Sequence, residues 1–314
     1  MTTTIAPPAP PASAKNSRQS GDGNSPPSPP TLRGVTPRVG ATLWKVVRVI
    51  ARIVISLALV LVFAGPFYWM VLTAFQTASE ALSIPPQFWV DSLRWDNFVA
   101  AFDRVNFGHF ALNSAIVTGG TLLGQFLIIV PAAYAFARFQ FKGRDVLFGV
   151  VLATMMIPGQ LIFLPVFAMY AKMGLLNTHL SLILPFIASG FGIFLLRQTF
   201  MRVPDSLIEA ARLDHASEFT IIRRIMLPLA KPTIVTIGLI TFIGTWNNYF
   251  FPLVWTTTDA VRTLPVAIPR LEALDEIAPT IVMAGNMLLV VPILIVFLLA
   301  RRHIISAFTY TGVK

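Results

Sequence analysis

The run Glu209-Ala210-Ala211-Arg212-Leu213-Asp214-His215-Ala216, followed by Ile225-Met226-Leu227-Pro228-Leu229, is a polar island in a chain that is otherwise largely apolar. Carboxylate, guanidinium and imidazole groups stand close together there, but no catalytic kit appears in the chain. His109, His179, His215 and His303 are scattered, with no His-Glu-x-x-His pair for zinc. There is no Gly-x-Ser-x-Gly elbow. None of the six lysines is followed by Ser or Thr, so the chain has no Walker A phosphate loop. With no cysteine, disulfides and thiolate ligands are excluded. The apolar segments also lack the buried acids and bases of ion-coupled transport. No catalytic residue, metal ligand or cofactor is assigned, and the chemistry left to the island is recognition of another protein.

Two short helices are expected to present it. Pro204-Asp205-Ser206 reads as a helix start, and Ser206 with Glu209 has capping-box spacing. Leu207, Ile208 and Ala211 are expected on one side, and small Ala210 and Ala211 let another backbone approach closely. After Asp214-His215 a second helix follows, with Phe219, Ile222, Ile225, Met226 and Leu229 at three- and four-residue spacing, until Pro228 and Pro232 break it. Glu209 has two compatible readings: a cap worth about 0.5–2 kcal/mol, or a contact to a basic residue on a partner. The Phe219–Leu229 stripe either packs on the chain's own helix ends or faces that partner.

The rest of the chain is built for lipid. It is 55% hydrophobic and 12% charged, with a mean hydropathy of +0.72, too apolar for a soluble domain. A membrane crossing takes about 20 apolar residues. Six uncharged runs of that order predict an all-α, polytopic membrane protein with spans at 50–75, 110–137, 146–171, 177–201, 232–256 and 278–300. The island, 203–231, falls between spans four and five. The first span is too long and too internal for a cleaved signal. Each span contains proline: Pro66, Pro131, Pro158 with Pro165, Pro185, Pro252 and Pro292.

An even number of spans puts both termini on one face. Lys and Arg crowd that face, in the N-terminal segment, at 138–144, at 197–231 and at the C-terminus. The other face has only Arg94, Arg104, Lys172, Arg262 and Arg270. The positive-inside rule then predicts cytoplasmic termini in a cell membrane. The basic charge reports topology, and no nucleic-acid partner is expected. Residues 1–40, with nine prolines, are expected to be a disordered cytoplasmic tail preceding a membrane domain at 41–314. Trp44, Lys45, Arg48 and Arg52 suit lipid headgroups. The loop at 76–110 is expected outside, along the membrane surface, with a short helix at 95–105. A second external loop is expected at 256–278.

Glu209-Ala210-Ala211, Asp214 with Ala216, Phe219, Ile225-x-Leu227-Pro228-Leu229 and Pro232 together resemble the EAA signature of ABC-importer permeases. The family usually has glycine where this chain has His215, which makes the turn stiffer. Pro85-Pro86-x-Phe88, Asn97-Phe98, Asn113-Ser114, Trp246-Asn247-Asn248-Tyr249-Phe250-Phe251-Pro252-Leu253 and Arg262-Thr263-Leu264-Pro265-Val266 narrow the resemblance to the smaller permease of maltose-type sugar importers, from about residue 45 onward. The resemblance implies a type I ABC-importer permease fold. It also implies a second, homologous permease, two ATP-binding subunits that use ATP and Mg, and an extracytoplasmic solute-binding protein. Glu209, Ala210, Ala211, Asp214, His215, Ala216 and Phe219 would couple to the ATPases, and the loop 256–278 would touch the binding protein.

Trp246, Asn247, Asn248 and Tyr249 also read as a solute pathway, because aromatic faces stack on sugar rings and amides pair with hydroxyls. An interfacial belt with polar helix–helix contacts accounts for them equally well. Asn286 and Gln160 are weaker pathway candidates. Two rivals remain: the same architecture importing a glycerol-phosphate ester or polyol, and an ATPase-independent secondary transporter.

Overall fold

The computed structural model describes residues 39–271 and 279–309. The expected tail lies outside these residues except for 39–40, as does 272–278 of the second expected external loop. Among the described residues all regular structure is helical. By packing, one unit closes at Ala58 and a second opens at Leu59. In the first unit the early part of α1 (Val39–Phe75) exposes every side chain from Val46 to Ala58, and Arg48 lies 5.8 Å from the Trp44 ring centre. A helix this apolar and this exposed is matched to lipid.

Three helices are long and apolar enough to cross a membrane without interruption: Val46–Phe75 of α1, α4 (Phe107–Arg138), and Pro279–Arg301 of the last helix, α15 (Pro279–Thr309). Pro66, Pro131 and Pro292 sit inside these helices. The other three expected spans are not single helices. The segment 146–171 is α5 (Arg144–Thr154) and α6 (Phe163–Met173), separated by irregular chain. Pro158 has no N–H to give Thr154, and its ring crowds that carbonyl, so α5 stops there.

Span 177–201 is α7 (His179–Ile183) with one tight turn at Leu184–Phe186, then α8 (Gly190–Met201), bent by 44°. Thr178 and Ser189 cap the two halves by accepting the Ser181 and Gly192 amides at 3.3 and 3.0 Å. Span 232–256 is α12 (Lys231–Trp246) and α13 (Phe250–Trp255), parted at 247–249, and the short α14 (Leu264–Ala267) follows. Two short helices lie before α4: α2 (Ala78–Ala81) and α3 (Asp96–Arg104). The second answers the helix expected at 95–105, and it packs on α4 and α15. Asn97 of α3 donates to the carbonyls of Ala74 and Gln76, both at 2.9 Å.

Within the second unit α4 is the central strut, packed against α7, α8 and α12, while α12 packs on α15. Its start, Phe107 and Phe110, joins a core with Trp246, Leu264, Ile268 and Val282. Its far end, Ile129, Ala133 and Tyr134, joins another with Phe148, Leu196 and Phe200. At 1.5 Å per residue those two cores lie roughly 30–40 Å apart along the helix, on the scale of a bilayer.

Candidate functional site: an anchored polar element and a polar groove

The polar island folds as α9 (Asp205–Leu213), a turn, and α10 (Glu218–Ile221). The chain then continues through a wide π turn at Ile222–Met226 and the short α11 (Leu227–Leu229). An 81° bend at Ala230 leads into α12. Pro228 lacks an N–H for the carbonyl of Arg224, and the π register instead carries Leu227 N–H to Ile222 O.

His215 closes α9 with φ +56°, the left-handed conformation in which glycine costs least. Its N–H donates to Arg212 O and the Ala216 N–H to Ala211 O, both at 3.0 Å. This pair of bonds is the Schellman closure. The sequence departure at this position therefore falls at the one residue of the turn with positive φ.

Two expectations for the element are corrected. Ser206 and Glu209 form no capping box, because α9 begins at Asp205 after Pro204, with no side-chain cap. The side-chain cap belongs instead to Ser217, which accepts Thr220 N–H at 3.3 Å. Among the described residues Glu209 has neither a hydrogen-bond nor an ion-pair partner. The buried set also differs from the expected stripes. Ile208, Ile221 and Met226 are buried in the core at the far end of α4, with Ala211, Ala216, Ile222 and Ile225 packed against them. Leu207, Phe219 and Leu229 face outward, and so do Glu209, Ala210, Leu213, Asp214 and His215. The exposures of Leu213 (81%) and Phe219 (70%) set an apolar surface beside the charges.

Two polar clamps hold the element to the bundle. The Arg138 side chain is only 8% exposed. It donates to the carbonyls of Phe200 and Val203 and pairs with Asp205, so one guanidinium joins the end of α4, the end of α8 and the start of α9. Cation at helix C-termini and anion at a helix N-terminus both suit the helix dipoles. In the second clamp Glu218 accepts from Tyr134 Oη at 2.5 Å and from Arg212 Nε at 3.0 Å. Burial opposes ionisation of Glu218. The bonds from Tyr134 and Arg212 and the charge of Arg212 outweigh that, holding the carboxyl below its ordinary 4.5. Neither clamp was anticipated from sequence. Arg138 was visible as a basic turn residue, but its three partners come from chain more than 60 residues away.

The pathway candidates do not cluster. Trp246 is buried, stacks on Phe242 with centroids 5.6 Å apart, and donates Nε1–H to Leu289 O at 3.1 Å. Asn247 is exposed and returns its amide to Ile243 O at 3.0 Å, while Tyr249 is exposed. Gln160 lies exposed in the break between α5 and α6, and Asn286 is half-buried in α15. Asn248 alone borders a cavity of about 310 Å³, together with Thr121, Gln125, Ser189, Thr241 and Thr245. Sequence reading missed those five, although Gln125 in the middle of an apolar span was the available signal. At the opposite end from the polar element, Asn113 donates to Ala260 O and Arg262 O at 3.0 and 2.9 Å. Asn177 Oδ1 accepts the Thr257 and Thr258 amides. These bonds fix the loop that follows α13.

An all-helical chain with apolar helices long enough to cross a membrane and an anchored, outward-facing polar element has the build of a membrane permease subunit. The chain belongs to the family described as the binding-protein-dependent transport system inner membrane component, which matches residues 127–308. Over 256 residues it is 32% identical to the arabinooligosaccharides transport system permease protein AraQ of Halalkalibacterium halodurans, covering 79% of this chain and 90% of that one. It is 28% identical over 275 residues to the sn-glycerol-3-phosphate transport system permease protein UgpE of Brucella abortus, covering 83% and 96%. Its fold is similar to a crystal structure of a bacterial ABC transporter involved in importing the acidic polysaccharide alginate. That match has a TM-score of 0.74 and 23% identity, covering 82% of this chain and 96% of that one.

Proposed function

We propose that this permease forms half of the translocation pathway for an uncharged sugar of the disaccharide or oligosaccharide class. It pairs with a second, homologous permease and docks an ATP-binding subunit of a pair at residues 205–221. It takes solute from an extracytoplasmic binding protein, and both its termini are cytoplasmic. The observation that carries the docking assignment is the two-sidedness of the element. Ile208, Ile221, Met226, Arg138 and Tyr134 hold one side, while Glu209, Ala210, Leu213 and Phe219 leave the other free for a partner. Motion of an ATPase against so anchored an element would reach α4, α8 and α12 directly. Similarity to the arabinooligosaccharide permease supports a sugar.

The glycerol-phosphate permease is an equally extensive match, and charge argues against that solute. A phosphate ester in a membrane pathway needs a cation beside it, and the cavity bordered by Asn248 has none. The test is uptake in proteoliposomes holding both permeases and both ATPases, supplied with binding protein. ATP-dependent accumulation of a neutral saccharide is expected. Accumulation that persists without the ATPases would instead make this a secondary transporter.

A further inference from the structure

Resting on the sugar-importer reading, we propose that this chain itself contacts the passing solute, through a neutral hydroxyl-binding patch at the cavity bordered by Thr121, Gln125, Ser189, Thr241, Thr245 and Asn248, with half-buried Thr245 and Asn248 presenting its polar groups. These six side chains come from α4, α12 and the two chain breaks at 187–189 and 247–249, and they border one cavity of about 310 Å³. Thr121 and Gln125 lie at the midpoint of α4, at the depth where the membrane is driest. Irregular backbone at that depth is tolerated where protein buries it or where it lines a wet cavity. Here two such breaks meet the same cavity.

Part of this polarity is helix–helix adhesion. Gln125 accepts from Thr241 at 2.5 Å and donates to Phe186 O at 3.3 Å, tying α4 to α12 and to the end of the turn after α7. The remainder exceeds what adhesion needs. The Thr121 hydroxyl is buried with no hydrogen-bond partner among the described residues. Thr245, likewise without one, is half-buried at the cavity wall. Asn248 uses its carbonyl oxygen on Phe251 N–H, at 3.3 Å, which leaves its amide hydrogens uncommitted. Hydroxyl and amide groups without charge match the donor and acceptor sites of a polyhydroxylated ring, and they penalise a phosphate or carboxylate that would arrive with no countercharge.

Neutral di- and trisaccharides are screened for ATP-driven uptake by the complete complex with its binding protein. Thr245→Val and Asn248→Ala are then compared with wild type for saccharide moved per ATP hydrolysed. One lost hydrogen bond of ordinary net strength corresponds to about a 3- to 10-fold fall in that ratio. ATP hydrolysis itself is expected to stay within about twofold, whereas a damaged docking element would lower both. Thr245→Ser, which keeps the hydroxyl, is expected to restore the ratio, and a failure of this rescue would mean that the valine acts through packing. An unchanged ratio in both variants overturns the contact while leaving the sugar-importer reading intact. A complex that takes up charged solutes only, or none of the neutral saccharides, overturns both.

Discussion

Arg138→Met keeps the buried apolar stem and removes the guanidinium that joins three helix ends. The two bonds lost from a charged donor to the Phe200 and Val203 carbonyls are each worth about 1.5–3 kcal/mol. The pair with Asp205, whose side chain is 78% exposed, adds about 0–1 kcal/mol. Water has a route to this side through the cavity of about 430 Å³ bordered by Arg138, Asp205 and Glu209. Rehydration there returns part of the loss, leaving a net cost of about 2–4 kcal/mol. The loss falls on the short connection between α8 and α9 and leaves the outward face of the element untouched. The purified complex should therefore melt at a lower temperature, keep its ATPases bound, and move less solute per ATP. Arg138→Lys, a point charge that cannot fork to several acceptors, should fall between the two. A methionine variant with wild-type melting and wild-type solute-to-ATP ratio would refute the idea that this clamp transmits motion.

Three further outcomes are expected. His215→Gly should melt at or slightly above wild type, whereas His215→Val should lose at least about 1 kcal/mol at a left-handed position; the reverse order by thermal shift would contradict the turn geometry. Because the Glu218 carboxyl titrates below its ordinary 4.5, its clamp stabilises fully above that value and is lost as pH falls through the depressed folded value. Melting of wild type should fall across that window more steeply than melting of Glu218→Gln, and parallel curves would count against the clamp. A Cβ on Gly190 would meet Val151 O at 2.9 Å and Met155 Cγ at 3.0 Å, so Gly190→Ala should cost about 1–3 kcal/mol by prying α8 from α5. An unaffected melting temperature would show that the crossing yields.

The uncharged runs were enough to read an all-α membrane protein, and the island was legible as two helices with a turn, because hydropathy and local spacing carry both. The interruptions were not. Seven prolines look alike in a hydropathy profile, yet Pro66, Pro131 and Pro292 ride inside long helices while Pro158, Pro165, Pro185 and Pro252 accompany breaks. The outcome depends on what neighbouring chain does with the freed carbonyls, which no local window contains. Glu209 had the spacing of a cap, but α9 starts one residue before Ser206 and the cap fails for want of register. The partners of Arg138 and Tyr134 are tertiary, as is the convergence of Thr121, Thr241 and Asn248 on one cavity. Conversely, the resemblance to the EAA signature singles out His215, and its left-handed backbone explains why glycine is usual there.

On the proposed function, an ATPase subunit seats on the outward face of residues 205–221. The chain has no cysteine, so Ala210→Cys introduces its single thiol on that exposed face. With a short bifunctional thiol-to-amine cross-linker applied to the assembled complex, the expected product joins this chain to an ATP-binding subunit, and its formation stops uptake. The same thiol placed by Leu93→Cys, in the loop expected on the opposite side, should give no such product. Cross-linking from Leu93→Cys but not from Ala210→Cys, or full uptake after complete cross-linking at 210, would contradict the docking assignment.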